Sequence, residues 1–312
     1  MSGASRSTPP GPADYGLLVT LAFIWGSAFL LSKIAVAEVP PVTITLIRQV
    51  LAGVLLTGLV VALGRSWFQP SGRDWIFIVV CALTGTVLPF TLINWGVEVI
   101  DSGLAAILMG LMPLVVIVLA HFVTDDEKLS LPKVLGVVLG LVGLAVLFWP
   151  QLTAGFGDNL MRQVAVLGAA IAYAVNALST KQLLRHPPLV LMAYITLVTW
   201  LILFPGAFML EAPMEIRPSR DALLALLALG VLPTAVGALL MFAVIERQGA
   251  SFFGQINLLV PVAGVLLGAV FLGERPGWNA MAALVIIVFG VVVARLRLDG
   301  FTSSEKKESS PS

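Results

Sequence analysis

The chain has 312 residues, of which 59% are hydrophobic and 11% charged, with a mean hydropathy of +1.02. A soluble domain carries roughly 25% charged residues to cover its surface, so this composition excludes one and identifies a membrane protein in contact with lipid. Eighteen Lys and Arg against seventeen Asp and Glu leave a net charge of +1, which provides no basic face for nucleic acid and excludes that partner.

A bilayer core ~30 Å thick needs about 20 helical residues at a rise of ~1.5 Å, so spans are found as apolar runs between polar punctuation. Ten are predicted, over residues 15–36, 41–64, 75–95, 103–123, 132–150, 162–183, 188–210, 221–243, 251–271 and 277–296. Polar tails occupy 1–13 and 298–312, the second expected to be disordered, and the connections are short. The fold class is therefore an all-α polytopic membrane protein with ten transmembrane helices. Arg6 ahead of the first run and Ala35-Val36-Ala37 near its end resemble a signal peptide. That run exceeds the usual ~7–15 residues of a signal core and Lys33 interrupts it, so a retained helix is expected.

Orientation follows from the basic residues. With the N-terminus inside, Arg6, Arg65, Arg73, Lys128, Lys133, Lys181, Arg185, Arg247, Arg295, Arg297, Lys306 and Lys307 fall on the cytoplasmic side. Lys33, Arg162, Arg217, Arg220 and Arg275 fall outside, and Arg48 lies within a span. The asymmetry places both termini in the cytoplasm and supports an even number of spans.

The two halves correspond at a shift of about 147 residues. Trp25 and Lys33 match Tyr173 and Lys181; Pro40-Pro41 matches Pro187-Pro188; Arg73-Asp74 matches Arg220-Asp221. Further on, Leu111-Met112-Pro113 matches Leu259-Val260-Pro261, Glu127 matches Glu274, and Gly143 matches Gly290. The expected units are 14–150 and 151–297. Five spans is an odd number, so the second unit enters the membrane inverted, as in carriers whose two halves exchange conformations.

These residues carry a resemblance. Ala105 to Gly143, with Leu111-Met112-Pro113 and Asp126-Glu127-Lys128-Leu129, and Gly249 to Gly290, with Leu259-Val260-Pro261 and Leu272-Gly273-Glu274-Arg275, resemble the two EamA-type repeats of the drug/metabolite transporter superfamily. Trp25-Gly26-Ser27-Ala28-Phe29 resembles the start of that family's first helix. One departure is Thr124-Asp125-Asp126-Glu127 where Leu-Gly-Glu is typical. The resemblance implies a ten-helix exporter, most similar to YddG-type exporters of aromatic and other neutral amino acids, in a bacterial inner membrane.

Intramembrane charge is costly, at least about 2.5–3.5 kcal/mol per residue on insertion scales, so each instance needs a reason. Lys33 and Lys181, at ends of symmetry-related helices, either snorkel, pair with loop acids or serve as pathway cations. Arg48 either attracts a substrate carboxylate, pairs with Glu98 or snorkels. No acidic residue falls near the middle of a span, which argues against antiport of cationic drugs. Glu127 and Glu274 are expected to hold helix connections by capping or ion pairing, with a direct role in coupling as the alternative.

The neutral polar and aromatic residues Trp25, Ser27, Thr84, Thr86, Met109, Met112, Tyr173, Asn176, Gln255 and Asn257 fall near the midplane, with Phe90 and Asn94 farther outward. Amide groups can orient both ends of a zwitterion, and aromatic rings can supply apolar walls and a cation–π face. Core packing and helix–helix contact are the alternatives for each of them. Pro113 and Pro261 are expected to kink their helices and shape a central opening. The pairs Gly136 with Gly140 and Gly264 with Gly268 have the spacing for close helix packing.

No enzyme is indicated. Gly155-Phe156-Gly157-Asp158 matches a string of membrane aspartyl proteases, but it lies in a polar connection without a second intramembrane aspartate. His121 and His186 stand at span edges outside any serine–histidine–acid arrangement. Cys81 lies in an apolar run as a packing residue, and without a ligand cluster no metal or other cofactor is expected. The expectation is an alternating-access exporter of small neutral or zwitterionic molecules, most readily aromatic and other neutral amino acids, acting as a monomer. An exchanger of phosphorylated metabolites or nucleotide sugars and a channel are the rival readings.

Overall fold

The computed structural model describes residues 9–123, 129–154 and 158–296. These residues contain no strand and form ten apolar helices in the expected order. They are α1 (Pro12–Val36), α2 (Pro41–Ala62), α3 (Gly72–Val97), α4 (Ser102–Val123) and α5 (Leu131–Ala154), followed by α6 (Asp158–Thr180), α7 (Pro188–Leu210), α8 (Arg220–Gly249), α9 (Ile256–Leu272) and α10 (Trp278–Ala294). The first eight are long and apolar enough to cross a membrane. The last two have 17 residues each, near the lower limit of roughly 17 for a span.

Local chemistry sets the helix ends. Proline occupies the first helical position of α1, α2 and α7, where a missing N–H breaks no helical bond. At the start of α3, Ser71 Oγ accepts from the Asp74 N–H at 3.2 Å while Asp74 accepts from the Ser71 N–H at 2.9 Å, a reciprocal cap. In the second half Ser219 Oγ caps α8 by accepting from the Ala222 N–H at 3.3 Å. Helix α8 ends at Gly249, whose φ of +82° is open to glycine without a Cβ clash. A short turn then runs through Phe253 into α9.

Lipid tails are as apolar as leucine, so the helices are held by van der Waals packing and interhelical hydrogen bonds. Packing follows the repeat. Helix α1 lies against α8 and α9, and its counterpart α6 lies against α3 and α4; α2 lies against α7 and α8, and α7 against α2 and α3. The remaining pairs, α4 with α9 and α5 with α10, join symmetry partners to each other. Small residues permit these approaches. A Cβ on Gly136 would stand 2.5 Å from both Ala294 Cβ and Gly290 O across the α5–α10 seam, and one on Gly264 would stand 2.4 Å from Ala106 Cβ across α4–α9. Gly140 abuts Leu114, and Gly268 abuts Glu274 and Ser102.

A symmetric feature that the sequence reading did not anticipate lies inside the third helix of each half. Residues Leu83–Val87 of α3 and Gly230–Val236 of α8, starting 147 positions apart, are wound as π-helix. The Leu88 N–H reaches Leu83 O and the Gly237 N–H reaches Leu232 O, each a five-residue step. Such bulges displace carbonyls from the regular ladder and often mark functional sites.

The expected pair of equivalent proline kinks takes a different form. Helix α4 breaks at Gly110–Leu111, and Pro113 is the second residue of the segment that follows, where its missing N–H costs little. Pro261 sits inside the continuous run of α9, and the break in that half lies earlier, at Gly254–Gln255.

Candidate functional site

The π segment of α8 bonds side chains from α2 and α1, and through Arg48 it connects to rings on α3 and α6. Arg48 of α2 donates from Nε to Thr234 Oγ1 at 2.7 Å, and Thr234 donates onward to Leu229 O at 2.7 Å. The Arg48 guanidinium carbon lies 3.7 Å from the centroid of the Phe90 ring of α3. Phe90 meets Tyr173 of α6 edge-to-face at 6.3 Å. One residue before Thr234, Pro233 O accepts from Trp25 Nε1 of α1 at 3.2 Å. Trp25 also packs edge-on against Phe253 at 5.8 Å. Thus Trp25 and Tyr173, counterparts in the two halves, connect to the same segment by different routes: Trp25 through Pro233 O, and Tyr173 through Phe90 and Arg48.

Arg48 is 6% exposed. Among the described residues no acid pairs with it, and its Nη1 and Nη2 have no hydrogen-bond partner. The expected alternative of an Arg48–Glu98 pair is replaced: Glu98 pairs with Arg162 of α6, which also donates to Trp95 O at 2.7 Å. Snorkelling is replaced too, because Arg48 turns inward onto Phe90.

The other half of the molecule uses its π segment for packing. Thr86 Oγ1 bonds Ala82 O at 2.6 Å and Thr199 Oγ1 of α7 at 2.8 Å, and Thr84 bonds Val80 O at 2.7 Å. Asn176 of α6 lies against Gly85, where a Cβ would meet Asn176 Oδ1 at 2.7 Å. Asn94 is 0% exposed on the α2–α3 seam, and its Nδ2 donates to Pro41 O at 3.3 Å and Thr45 Oγ1 at 3.1 Å. Ser27 bonds back to Ile24 O at 2.7 Å. Met109 and Met112 flank the break in α4, and Met109 packs on the same core as Tyr173. Gln255 and Asn257 stand at the start of α9, where Asn257 donates to Gly254 O at 3.2 Å.

Lys33 is absorbed by the backbone. Its Nζ donates to Val97 O at 2.8 Å and Ile100 O at 3.0 Å, closing the carbonyl end of α3. Lys181 lies exposed in the turn after α6. Glu274 accepts from the Ser102 N–H at 2.7 Å and the Gly103 N–H at 2.9 Å, so it caps α4 as its expected connecting role requires. Its counterpart Glu127, with Thr124–Lys128, lies outside the described residues, as do Gly155–Gly157, residues 1–8 and residues 297–312, whereas the end of the expected first tail is helical from Pro12.

Two carboxyls in the connections are perturbed. The Ser219 hydroxyl, and after it the Ser219 N–H, hold the Glu38 carboxyl below its ordinary range. Burial first, and the Glu274 charge second, push Asp101 up, with Lys33 acting against them. Among the described residues no group of three His, Cys, Asp or Glu stands at metal-binding distance.

Thr234, Pro233 O, Phe253 and Thr199 were missed by the sequence reading. A proline and a threonine side by side inside an apolar span was the available signal for the first two.

Comparison with known proteins follows the same halves. The model of the EamA-like transporter family matches residues 14–149 and again 161–296. "Uncharacterized transporter YoaV" of Bacillus subtilis (strain 168) is 24% identical over 93% of this chain and 97% of its own length. A Streptantibioticus cattleyicolor protein named "Probable terminal-alkyne amino-acid exporter" is 27% identical, covering 91% of this chain and 93% of its own. The "Probable amino-acid metabolite efflux pump" of Salmonella typhimurium is 25% identical, covering 90% and 94%. A solved structure, "Crystal structure of protein", superposes with a TM-score of 0.66 at 22% identity over 94% of this chain and 99% of that one, a likeness of fold.

Proposed function

Because this chain belongs to the EamA-like transporter family, and is therefore a multi-pass membrane transporter, we propose that it exports small neutral amino acids by alternating access between its two halves. Arg48 carries the proposal. A guanidinium buried at bilayer depth without an acidic partner among the described residues is unfavourable until an anion meets it. A substrate carboxylate supplies one negative charge in the planar form that Arg receives through two parallel N–H donors. The rings of Trp25, Tyr173 and Phe90 offer the substrate side chain apolar walls, and a ring face suits its ammonium.

A phosphorylated metabolite fits this arrangement less well. A phosphate dianion calls for converging cations, whereas Lys33 is engaged by backbone carbonyls and Arg162 by Glu98. Two relatives named for amino-acid export or efflux accord with the amino-acid reading. One chain contains both halves, so a monomer suffices, and the basic residues favour a bacterial inner membrane with both termini inside.

The test is uptake by purified protein in liposomes. Saturable movement of labelled phenylalanine or threonine without unitary currents is expected. Transport of a sugar phosphate with none of the neutral amino acids would replace this reading with the exchanger.

A further inference from the structure

We infer that Thr234 is the positioning residue that makes Arg48 a receptor for one carboxylate, and so sets which end of the substrate the transporter reads. The inference rests on the amino-acid reading above and names a residue and a selectivity that the reading does not contain.

A guanidinium has five N–H donors in a rigid fork, and it can present either a side edge, Nε with one Nη, or the end edge, Nη1 with Nη2. Here the side edge containing Nε is occupied, because Nε donates to Thr234 Oγ1 at 2.7 Å. One face is occupied as well, by the Phe90 ring at 3.7 Å. The end edge remains: among the described residues neither Nη has a hydrogen-bond partner. A carboxylate is thereby directed to Nη1 and Nη2, with its two oxygens matching the two parallel donors.

Thr234 can act as this acceptor because of the π winding. A hydroxyl has one proton to give, and that proton goes to Leu229 O, five residues back, at 2.7 Å. With its donor committed, Oγ1 presents lone pairs toward Arg48. The arrangement is a directed relay, Arg48 Nε–H to Thr234 Oγ1–H to Leu229 O, whose last acceptor lies at the start of the π segment. Serine preserves the relay, whereas valine keeps the shape of threonine and removes both bonds. Without Thr234 the side edge of Arg48 is released and the fork is free to turn.

The consequence is specific. Losing the positioning residue weakens recognition of the carboxylate while sparing recognition of the side chain and the ammonium. Thr234→Val is expected to raise the KM for phenylalanine about tenfold, the loss typical of a hydrogen bond to a charged group, with kcat within about twofold. Competition by phenylalaninol, which lacks the carboxylate, is expected to keep its inhibition constant. Thr234→Ser is expected to restore the KM.

The experiment is phenylalanine uptake into liposomes by the wild type, Thr234→Val and Thr234→Ser, with phenylalaninol as competitor and monodisperse gel filtration as the check of folding. An unchanged KM in Thr234→Val overturns the inference. So does a parallel loss for phenylalanine and phenylalaninol, and so does a failure of serine to restore recognition. If Thr234→Val does not fold, Thr234→Ser together with Thr234→Ala decides by the same KM ratio. Wild-type protein that moves a sugar phosphate and no amino acid defeats the amino-acid reading itself, and the inference with it.

Discussion

Glu38 and Ser219 are joined twice: the Glu38 carboxylate accepts from the Ser219 N–H at 2.6 Å and from the Ser219 hydroxyl at 2.6 Å. The pair fastens the α1–α2 turn of one half to the first turn of α8 in the other. At the corresponding place 147 residues on, Arg185 in the α6–α7 connection pairs with Asp74 in the first turn of α3. His186 stacks on Phe68 at 3.9 Å and brings Nε2 to 3.3 Å from Asp74 Oδ1. The two pairs are related by the repeat and cross between the halves in opposite directions, as an inverted pair of units predicts.

The Glu38–Ser219 pair has a defined pH dependence. Hydrogen bonds from Ser219 depress the Glu38 carboxyl below its ordinary 4.5. A depressed carboxyl contributes stability above its unfolded-state pKa and loses it as pH falls through the folded-state value. The melting temperature of purified protein is expected to drop below about pH 4.5, and Glu38→Gln to reduce that drop. Identical profiles for the two proteins would remove Glu38 from the account.

Helix seams and lipid faces should respond differently to added volume. Gly136→Leu forces side-chain atoms into Ala294 and the Gly290 carbonyl, and overpacking of this kind costs about 1–3 kcal/mol or more. At Gly58 of α2 nothing lies within 4 Å, so Gly58→Ala is expected to be neutral or stabilising by up to about 1 kcal/mol. Thermal unfolding in detergent measures both, and equal effects would contradict the α5–α10 packing.

Two acids cap helices across the chain. Glu274 serves α4, and Glu211 accepts from the Val42 and Thr43 N–H groups of α2 at 3.0 and 2.7 Å. Hydrogen bonds to a charged acceptor contribute about 1.5–3 kcal/mol. Glu274→Ala and Glu211→Ala are each expected to lower stability by about 2 kcal/mol. A change below about 0.5 kcal/mol in either would show that water replaces the cap.

Trp25 and Asn257, both expected near the substrate, have different partners. Trp25 reaches the π segment through Pro233 O and packs on Phe253, whereas Asn257 bonds the adjacent turn at Gly254 O. Trp25→Ala is expected to reduce phenylalanine transport about tenfold, in line with the ~1–2 kcal/mol of an aromatic contact with its hydrogen bond. Asn257→Ala is expected to change it by less than about threefold. A larger loss at Asn257 would move the site toward the start of α9.

The ten spans were legible because a bilayer demands about 20 apolar residues between polar breaks, a signal that survives in a single sequence. The repeat was legible because Trp25, Pro113 and Arg73 each have a counterpart about 147 residues on. Partner choice was not legible. Whether Arg48 or Arg162 meets Glu98 depends on the rotation of α2 and α6, and Lys33 finds its acceptors at Val97 and Ile100, 64 and 67 residues away. The π segments escaped for another reason: a five-residue step leaves the hydrophobic run unbroken, so Thr84, Thr86 and Thr234 look like ordinary span residues until the winding is seen.

The most direct test of the amino-acid reading is the concentration dependence of phenylalanine uptake by liposomes containing Arg48→Gln beside wild-type protein. The Arg48 account predicts at least a tenfold rise in KM, the loss of a charge-assisted carboxylate contact of about 1.5–3 kcal/mol, in a variant that still inserts and melts near the wild-type temperature. A folded Arg48→Gln protein with the wild-type KM would contradict it.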